Sequence, residues 1–352
     1  MQHKIVKKLL KEQKVDALLI TSDYNRLWYT TFSSTAGYLL VTKEKSFLIL
    51  DGRYIEDGKM QAKNIDNIIL MENIYEQLNE LIKKYNIITL GFESEYTSYA
   101  LFTTWSEKLA VSLKAVLVNK IRMIKTKDEI KKLKQAAKIG DKTFKAIIKK
   151  VKPNMTEKRL ERIIIDNFLK FGGEKPSFDC IVASGVRSSL PHGRATNKVI
   201  NNNEIITCDF GVIYQGLCSD MTRTFVIGNK LDKKLEDIYK IVLEAQDLGI
   251  KAIAPGISSG TIDKICREYI TKKGYGKYFT HSTGHGLGIE VHEYPYITNN
   301  SDIILEVGMV ITVEPGIYIP QLGGVRIEDD ILVTKKGYEI LTKSSRDLIF
   351  VK

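Results

Sequence analysis

The stretch Glu204–Val226 reads EIITCDFGVIYQGLCSDMTRTFV. Apolar and β-branched residues run up to Ile213-Tyr214-Gln215-Gly216 and resume beyond it, the pattern of two strands joined by a tight turn. A turn centred between Tyr214 and Gln215 makes Asp209 and Asp220 direct cross-strand neighbours, with Cβ atoms roughly 4.5–5.5 Å apart. Two carboxylates so placed in an apolar hairpin repel each other, and a divalent cation offsets that repulsion. The competing reading puts an aspartate at an exposed edge, or shifts the turn and separates the pair.

Working outward, the hairpin lies between two similar helical passages. Asp128–Val151 carries apolar residues at helical spacing and stops at Pro153; a second helix follows the cap residue Thr156 and ends at Gly172-Gly173. Downstream, Lys233–Ala254 stops at Pro255, and Thr261–Lys273 ends at Gly274. A helix–helix–strand unit used twice predicts an α+β domain with pseudo-two-fold symmetry. Its strands are expected to meet in one curved sheet, with a ligand pocket between the halves. The preceding residues alternate in period: helix at Lys4–Lys14 and Tyr75–Tyr85, strands at Val15–Thr21, Gly37–Thr42, Ser46–Leu50 and Ile87–Phe92. They predict an α/β domain over residues 1–120, followed by the second domain over 121–352.

The whole chain supports that division. Its 352 residues suit two domains, and 43% hydrophobic with 27% charged residues is a globular composition. Cys180, Cys208, Cys218 and Cys266 form no C-x-x-C pair, so they read as buried small hydrophobes rather than zinc ligands or disulfides. The net charge of +11 is concentrated between Lys120 and Lys152, where 13 Lys or Arg face only Asp128, Glu129 and Asp141. On a helix this run is a solvated face opposite Ile130, Leu133, Ala137, Phe144, Ile147 and Val151. No basic–aromatic stripe accompanies it, so nucleic acid is not an expected partner. The amino terminus, MQHKIVKKLLKEQKV, is broken by charge and lacks an apolar signal core, and no stretch approaches the ~20 apolar residues of a membrane span. No membrane partner and a cytoplasmic location are expected.

Three further clusters carry chemistry. His281-Ser282-Thr283-Gly284-His285-Gly286-Leu287-Gly288 leads to His292-Glu293, placing three of the five histidines among glycines that would let an imidazole approach a ligand closely. Thr312-Val313-Glu314-Pro315-Gly316-Ile317-Tyr318 and Gly323-Gly324-Val325-Arg326-Ile327-Glu328-Asp329-Asp330 each set a carboxylate in an apolar, strand-like context where an unpaired charge is expensive. Taken singly, the first is also a turn signal and the second a surface strand. Four carboxylates and one imidazole form an oxygen-rich ligand set without thiolate. It suits two ions of the manganese, cobalt or zinc type, and the chemistry implied is hydrolysis.

Cys208-Asp209-Phe210-Gly211, Ser219-Asp220-Met221-Thr222-Arg223-Thr224, Gly284-His285-Gly286, Glu314-Pro315-Gly316 and Arg326-Ile327-Glu328-Asp329, in that order, resemble the M24 metallopeptidase family of proline peptidases and methionine aminopeptidases, with its pita-bread fold. Leu190-Pro191-His192-Gly193 and the segment His281–His292 resemble the proline-cleaving branch. The residues before about Lys125 resemble the creatinase-type domain of aminopeptidase P and prolidase, although Trp28 stands where Tyr is common and Thr31 where Gly is common.

The resemblance implies roles. Asp209, Asp220, His285, Glu314 and Glu328 are the expected metal ligands, with Asp220 and Glu328 bridging two ions, manganese or alternatively cobalt or zinc. Glu314 is the implied proton shuttle, and His192 and His292 steady the tetrahedral intermediate. His281, Tyr318 and Arg326 shape the pocket beyond the scissile bond. The activity implied is Xaa-Pro aminopeptidase action on small peptides with proline in second position, by a homodimer. Xaa-Pro dipeptidase (prolidase) is the alternative. A methionine aminopeptidase, a metal-free creatinase-like hydrolase and a catalytically silent binding protein on the same fold fit less well, because the amino-terminal domain and all five ligands are present.

Overall fold

The computed structural model of the chain describes residues 2–352. It forms two compact units, the first ending at Arg122 and the second running Met123–Lys352.

The first unit alternates helix and strand: α1 (Gln2–Gln13), β1 (Ala17–Ile20), α2 (Asp23–Thr30), β2 (Tyr38–Thr42), β3 (Ser46–Leu50), α3 (Ile55–Gln61), β4 (Asn67–Leu70), α4 (Ile74–Lys84), β5 (Thr89–Glu93), α5 (Tyr99–Lys108) and β6 (Ser112–Val116). The strands make one mixed sheet in the order β4-β3-β2-β1-β5-β6. Its central strand β1, ALLI, is buried along its whole length, as a strand covered on both faces must be. Helix α2 holds the segment in which the sequence departs from the family pattern. Ser22 caps it, and the buried Glu93 accepts hydrogen bonds from the amides of Thr21 and Ser22, from Ser22 Oγ and from Asn25 Nδ2. The helix ends on Thr31, whose φ of +55° lies in the left-handed region that a β-branched residue rarely occupies. Glycine enters that region without strain, which gives a physical reason for its frequency at this point of the pattern.

The second unit begins with α6 (Lys127–Lys150), started by a capping box between Thr126 and Glu129, and α7 (Glu157–Lys170), capped by Thr156. The strands β7 (Lys175–Pro176), β8 (Ile181–Ser184), β9 (Glu204–Phe210), β10 (Val212–Tyr214), β11 (Leu217–Cys218) and β12 (Met221–Ile227) follow. The pattern then returns: α8 (Lys233–Lys251), α9 (Ser259–Lys272), β13 (Gly284–Gly286), β14 (Glu293–Ile297), β15 (Val310–Val313), β16 (Gly316–Ile319), β17 (Gly323–Arg326), β18 (Asp329–Thr334) and β19 (Gly337–Ile340), closed by β20 (Phe350–Val351). Each helix pair covers its own strands. Phe144, Ile147, Leu160, Ile164 and Phe168 pack with Val182, Cys208 and Phe225, whereas Ile238, Val242, Ile262 and Ile270 pack with Ile311, Val313, Ile317 and Ile331.

The strands do not join in one curved sheet. Hydrogen bonding divides them into β20-β12-β9-β8, β14-β13-β15-β18-β19, the pair β16-β17 and the short set β11-β10-β7. The breaks fall beside the carboxylates. Pro315 after Glu314 has no N–H to continue a ladder. The amide of Glu328 turns to Thr222 O, and the amide of Asp220 turns to the Asp330 side chain. Each break frees a carboxylate-bearing residue from the regular pleat.

The hairpin register also differs from expectation. Gln215 and Gly216, with φ of +48° and +76°, form the two-residue turn, so Tyr214 pairs Leu217 and Asp209 pairs Thr222 rather than Asp220. Both central residues have the positive φ of a type I′ turn, which Gly216 accepts freely and Gln215 does not. Asp220 thus precedes Thr222 by two and is a diagonal neighbour of Asp209 on the same face.

Candidate metal centre

That face is where the remote segments converge. Asp209 lies at the end of β9, Asp220 just before β12, His285 at the middle of β13, Glu314 just after β15 and Glu328 between β17 and β18. All five line one cavity of ≈ 390 Å³, together with His192, His281, His292 and Arg326. Tyr318 is not in the lining. It lies behind the wall, hydrogen bonded to both His281 and Arg326.

The glycines around His285 act differently from the sequence reading. A Cβ on Gly284 would stand 2.1 Å from Thr312 O, and one on Gly286 2.2 Å from Tyr294 O. They let β13 thread between neighbouring backbones rather than clearing room for a ligand. His285 itself is oriented from behind: its Nδ1 lies 3.0 Å from Gly286 O and its amide donates to Thr312 Oγ1. With Nδ1–H donating to that carbonyl, Nε2 faces Glu314 Oε1 at 3.3 Å and Asp220 Oδ2 at 3.7 Å.

Arg326 organises the opposite wall. Its Nη2 donates to Asp209 Oδ2 at 2.6 Å, its Nη1 to Tyr318 OH at 2.6 Å and to Pro191 O at 3.1 Å, and its Nε to Thr222 Oγ1. Thr222 Oγ1 in turn donates to Glu328 Oε2 at 2.6 Å. Because Tyr318 OH accepts from Arg326, its proton is directed to His281 Nε2 at 2.8 Å, and His281 Nδ1–H donates to Ser282 O. Both ring nitrogens of His281 are therefore engaged, and burial lowers its pKa, so the ring is neutral.

The acid cluster is strained by its own charge. Burial, followed by the repulsion of the other carboxylates, raises the pKa of Asp220 and Glu328 well above the ordinary range. Burial also raises Asp209, against the pull of Arg326. Burial raises Glu314 too, but the hydrogen bond and charge of His285 outweigh it and the net shift is downward. His292, whose ring centroid lies 4.3 Å from that of His285, is pushed down to about 4 by burial and by that neighbour.

Asp209 Oδ1, Asp220 Oδ1 and Glu328 Oε1 are buried with no hydrogen-bond donor. Three orphaned carboxylate oxygens in one cavity are costly unless a cation satisfies them. Ligand atoms of Asp220, His285 and Glu328 come within 4.8 Å of one another. The residues thus fit divalent metal.

Residues 131–335 match the model of metallopeptidase family M24, and residues 3–124 that of the creatinase/prolidase N-terminal domain. The chain belongs to metallopeptidase family M24. An Xaa-Pro dipeptidase from Bacillus anthracis shares 42% identity and superposes with a TM-score of 0.96, covering 99% of both chains. The prolidase from Pyrococcus horikoshii gives 38% and 0.93, again over 99% of both. A putative Xaa-Pro aminopeptidase of Mycoplasma genitalium is 39% identical over 344 residues, spanning 97% of this chain and 96% of the relative. This M24 chain is accordingly a hydrolase that uses divalent metal, with a creatinase-type first domain and a pita-bread second domain.

Two residues around the site escaped the sequence reading. Thr222 links Arg326 to Glu328, and Arg223 holds the residue after Glu328 by donating to Asp329 Oδ1 at 2.6 Å. A signal for Thr222 was present: two residues beyond Asp220 in a strand, it had to share its face.

Proposed function

We propose that this M24 peptidase removes the first residue from peptides whose second residue is proline, as an Xaa-Pro aminopeptidase. The reading rests chiefly on the three orphaned carboxylate oxygens, set beside His285 and Glu314 in a cavity large enough for a short peptide. Asp209, Asp220, His285, Glu314 and Glu328 would hold two divalent ions, with manganese the first choice for such oxygen-rich ligands and cobalt or zinc alternatives. The chemistry supplied by that pair is Lewis acidity toward the scissile carbonyl and activation of water at neutral pH.

The side chains do the rest. Glu314, with one oxygen 3.3 Å from His285, faces the cavity and takes the proton of the attacking water, then returns it to the departing nitrogen. His192 and His292 stand on the lining, where they steady the charge that develops on the carbonyl oxygen. An Xaa-Pro bond is a tertiary amide without an N–H, so a site for it needs a shaped hollow rather than an acceptor. The neutral ring of His281, fixed at both nitrogens by Tyr318 and Ser282, offers such a surface.

The dipeptidase reading uses the same machinery, and solved relatives carry that name. Incubating Mn²⁺-loaded protein with Xaa-Pro and with Xaa-Pro-Yaa-Zaa, followed by mass spectrometry, separates the two. Free Xaa from the longer peptide supports aminopeptidase action; cleavage of the dipeptide alone means prolidase. A homodimer in the cytoplasm completes the proposal. Among the described residues no helix is long and apolar enough to cross a membrane. A single 40 kDa species in light scattering would refute the dimer.

A further inference from the structure

Glu157, the first residue of α7, is fully buried, yet it touches none of the cavity. Its carboxylate gathers donors from one loop. Oε1 accepts from the amide of Ser184 at 2.8 Å and from Ser184 Oγ at 2.9 Å. Oε2 accepts from the amide of Thr196 at 3.0 Å and from Thr196 Oγ1 at 2.7 Å. Arg187 Nε donates to both oxygens, at 3.3 and 3.1 Å, and Arg187 Nη2 reaches on to Arg194 O at 2.6 Å. The loop between Ser184 and Thr196 is thus clamped by one anion at both ends and, through Arg187, near its start. Between those clamps lie Pro191, His192 and Arg194, all on the cavity lining.

Around the carboxylate the bonding is one-sided: helix α7 contributes its amino-terminal end, where a carboxylate is favoured, and the loop contributes every donor to it. The helix's own amides also hold the far end of the loop, Lys158 N–H donating to Thr196 O at 3.0 Å and Glu157 N–H to Lys198 O at 3.0 Å. Arg326 adds a fourth anchor by donating to Pro191 O, one residue before His192. Small residues let the loop lie close to its support: a Cβ on Gly193 would stand 2.7 Å from that of Ala183.

We propose that Glu157 is a positioning residue for His192, setting the imidazole through the loop it clamps. The inference rests on the role given to His192 above. Side chains that act at the carbonyl must be held to a fraction of an ångström, and a displacement of about 1 Å costs roughly 100-fold in rate. Glutamine at this position keeps the shape but not the charge, and its NH₂ cannot accept.

The test uses metal-loaded full-length protein. In Glu157→Gln, amide exchange followed by mass spectrometry should quicken between residues 184 and 197 and stay unchanged in the segments carrying Asp209, His285 and Glu314. On an Xaa-Pro peptide kcat should fall by roughly 10- to 100-fold with KM little changed. In a His192→Ala background the same substitution should cost almost nothing more, because both act through one group. Arg187→Gln removes the partly exposed guanidinium that joins Glu157 to Arg194 O but leaves the Ser184 and Thr196 donors, so it should give a milder form of the same signature, and Glu157→Asp should recover part of the rate. Unchanged exchange in the loop, wild-type kcat in Glu157→Gln, or an equal loss in the His192→Ala background overturns the proposal. A wild-type chain inert toward Xaa-Pro peptides defeats the functional reading instead, and the exchange result then decides by itself whether Glu157 holds the loop.

Discussion

Arg326 Nη2 lies 2.6 Å from Asp209 Oδ2, while the buried Asp209 Oδ1 has no donor. One oxygen of the carboxylate is held by the protein, and the other is the one that would meet a cation in the proposed metal site. Arg326 would then belong to that site's frame without being a ligand.

Arg326→Met should therefore do more than remove a contact. It strands Asp209 in a buried site and releases Tyr318, Thr222 and Pro191 O together. Breaking a buried pair on one side costs about 3–5 kcal/mol. Denaturant unfolding of the metal-free protein should show a loss of that order, and a change within about 0.5 kcal/mol, typical of surface sites, would count against the role.

Glu328→Gln should behave oppositely in the absence of metal. Glutamine keeps an acceptor for Thr222 Oγ1 and removes one charge from a cluster whose burial and mutual repulsion already oppose ionisation. The metal-free variant should melt no lower than wild type. Metal should then fail to stabilise it, whereas the wild type should gain about 2.7 kcal/mol at a metal concentration 100 times Kd. A variant that still gains that stability would remove Glu328 from the ligand set.

Tyr318→Phe interrupts the chain Arg326 to Tyr318 to His281. It leaves the Arg326 Nη1 donor and the His281 Nε2 acceptor short of a partner, at a cost of about 1–3 kcal/mol. With His281 held only through Nδ1, KM for Xaa-Pro peptides should rise more than kcat falls, as steady-state kinetics can read. Equal kinetics to wild type would show that the ring of His281 does not shape the proline hollow.

Thr31→Gly tests the first domain. Thr31 is exposed and held at φ +55°, where a side chain costs roughly 1–2 kcal/mol relative to glycine. The gain is reduced by the greater freedom glycine has when unfolded. The variant should be more stable than wild type in thermal unfolding, and a lower melting point would mean that the hydroxyl or methyl makes a contact worth more than the strain.

What the sequence made legible follows from what was local. The helices α6, α7 and α8 announced themselves by Pro153, Thr156 and Pro255, and the structure starts or ends them within a few residues of those signals. The carboxylates were visible as charges in apolar strands. The register was not, because it hung on Gln215 adopting a left-handed φ that its side chain does not advertise. Helices α2 and α5 were missed for a related reason: short and rich in Tyr, Trp and Thr, they are fixed by capping serines and by Glu93 across the fold rather than by propensity. Glu157 belongs to the same class. Its partners lie 27 to 39 residues away, so no spacing along the chain marks it.

The most direct measurement strips the protein of metal with a chelator, restores Mn²⁺ in steps, and follows an Xaa-Pro-Yaa-Zaa peptide by mass spectrometry. The predicted result is no cleavage in the stripped protein and release of free Xaa and Pro-Yaa-Zaa that rises with metal to a plateau. Cleavage that persists unchanged without metal, or a folded, metal-loaded protein that leaves the peptide intact, would contradict it.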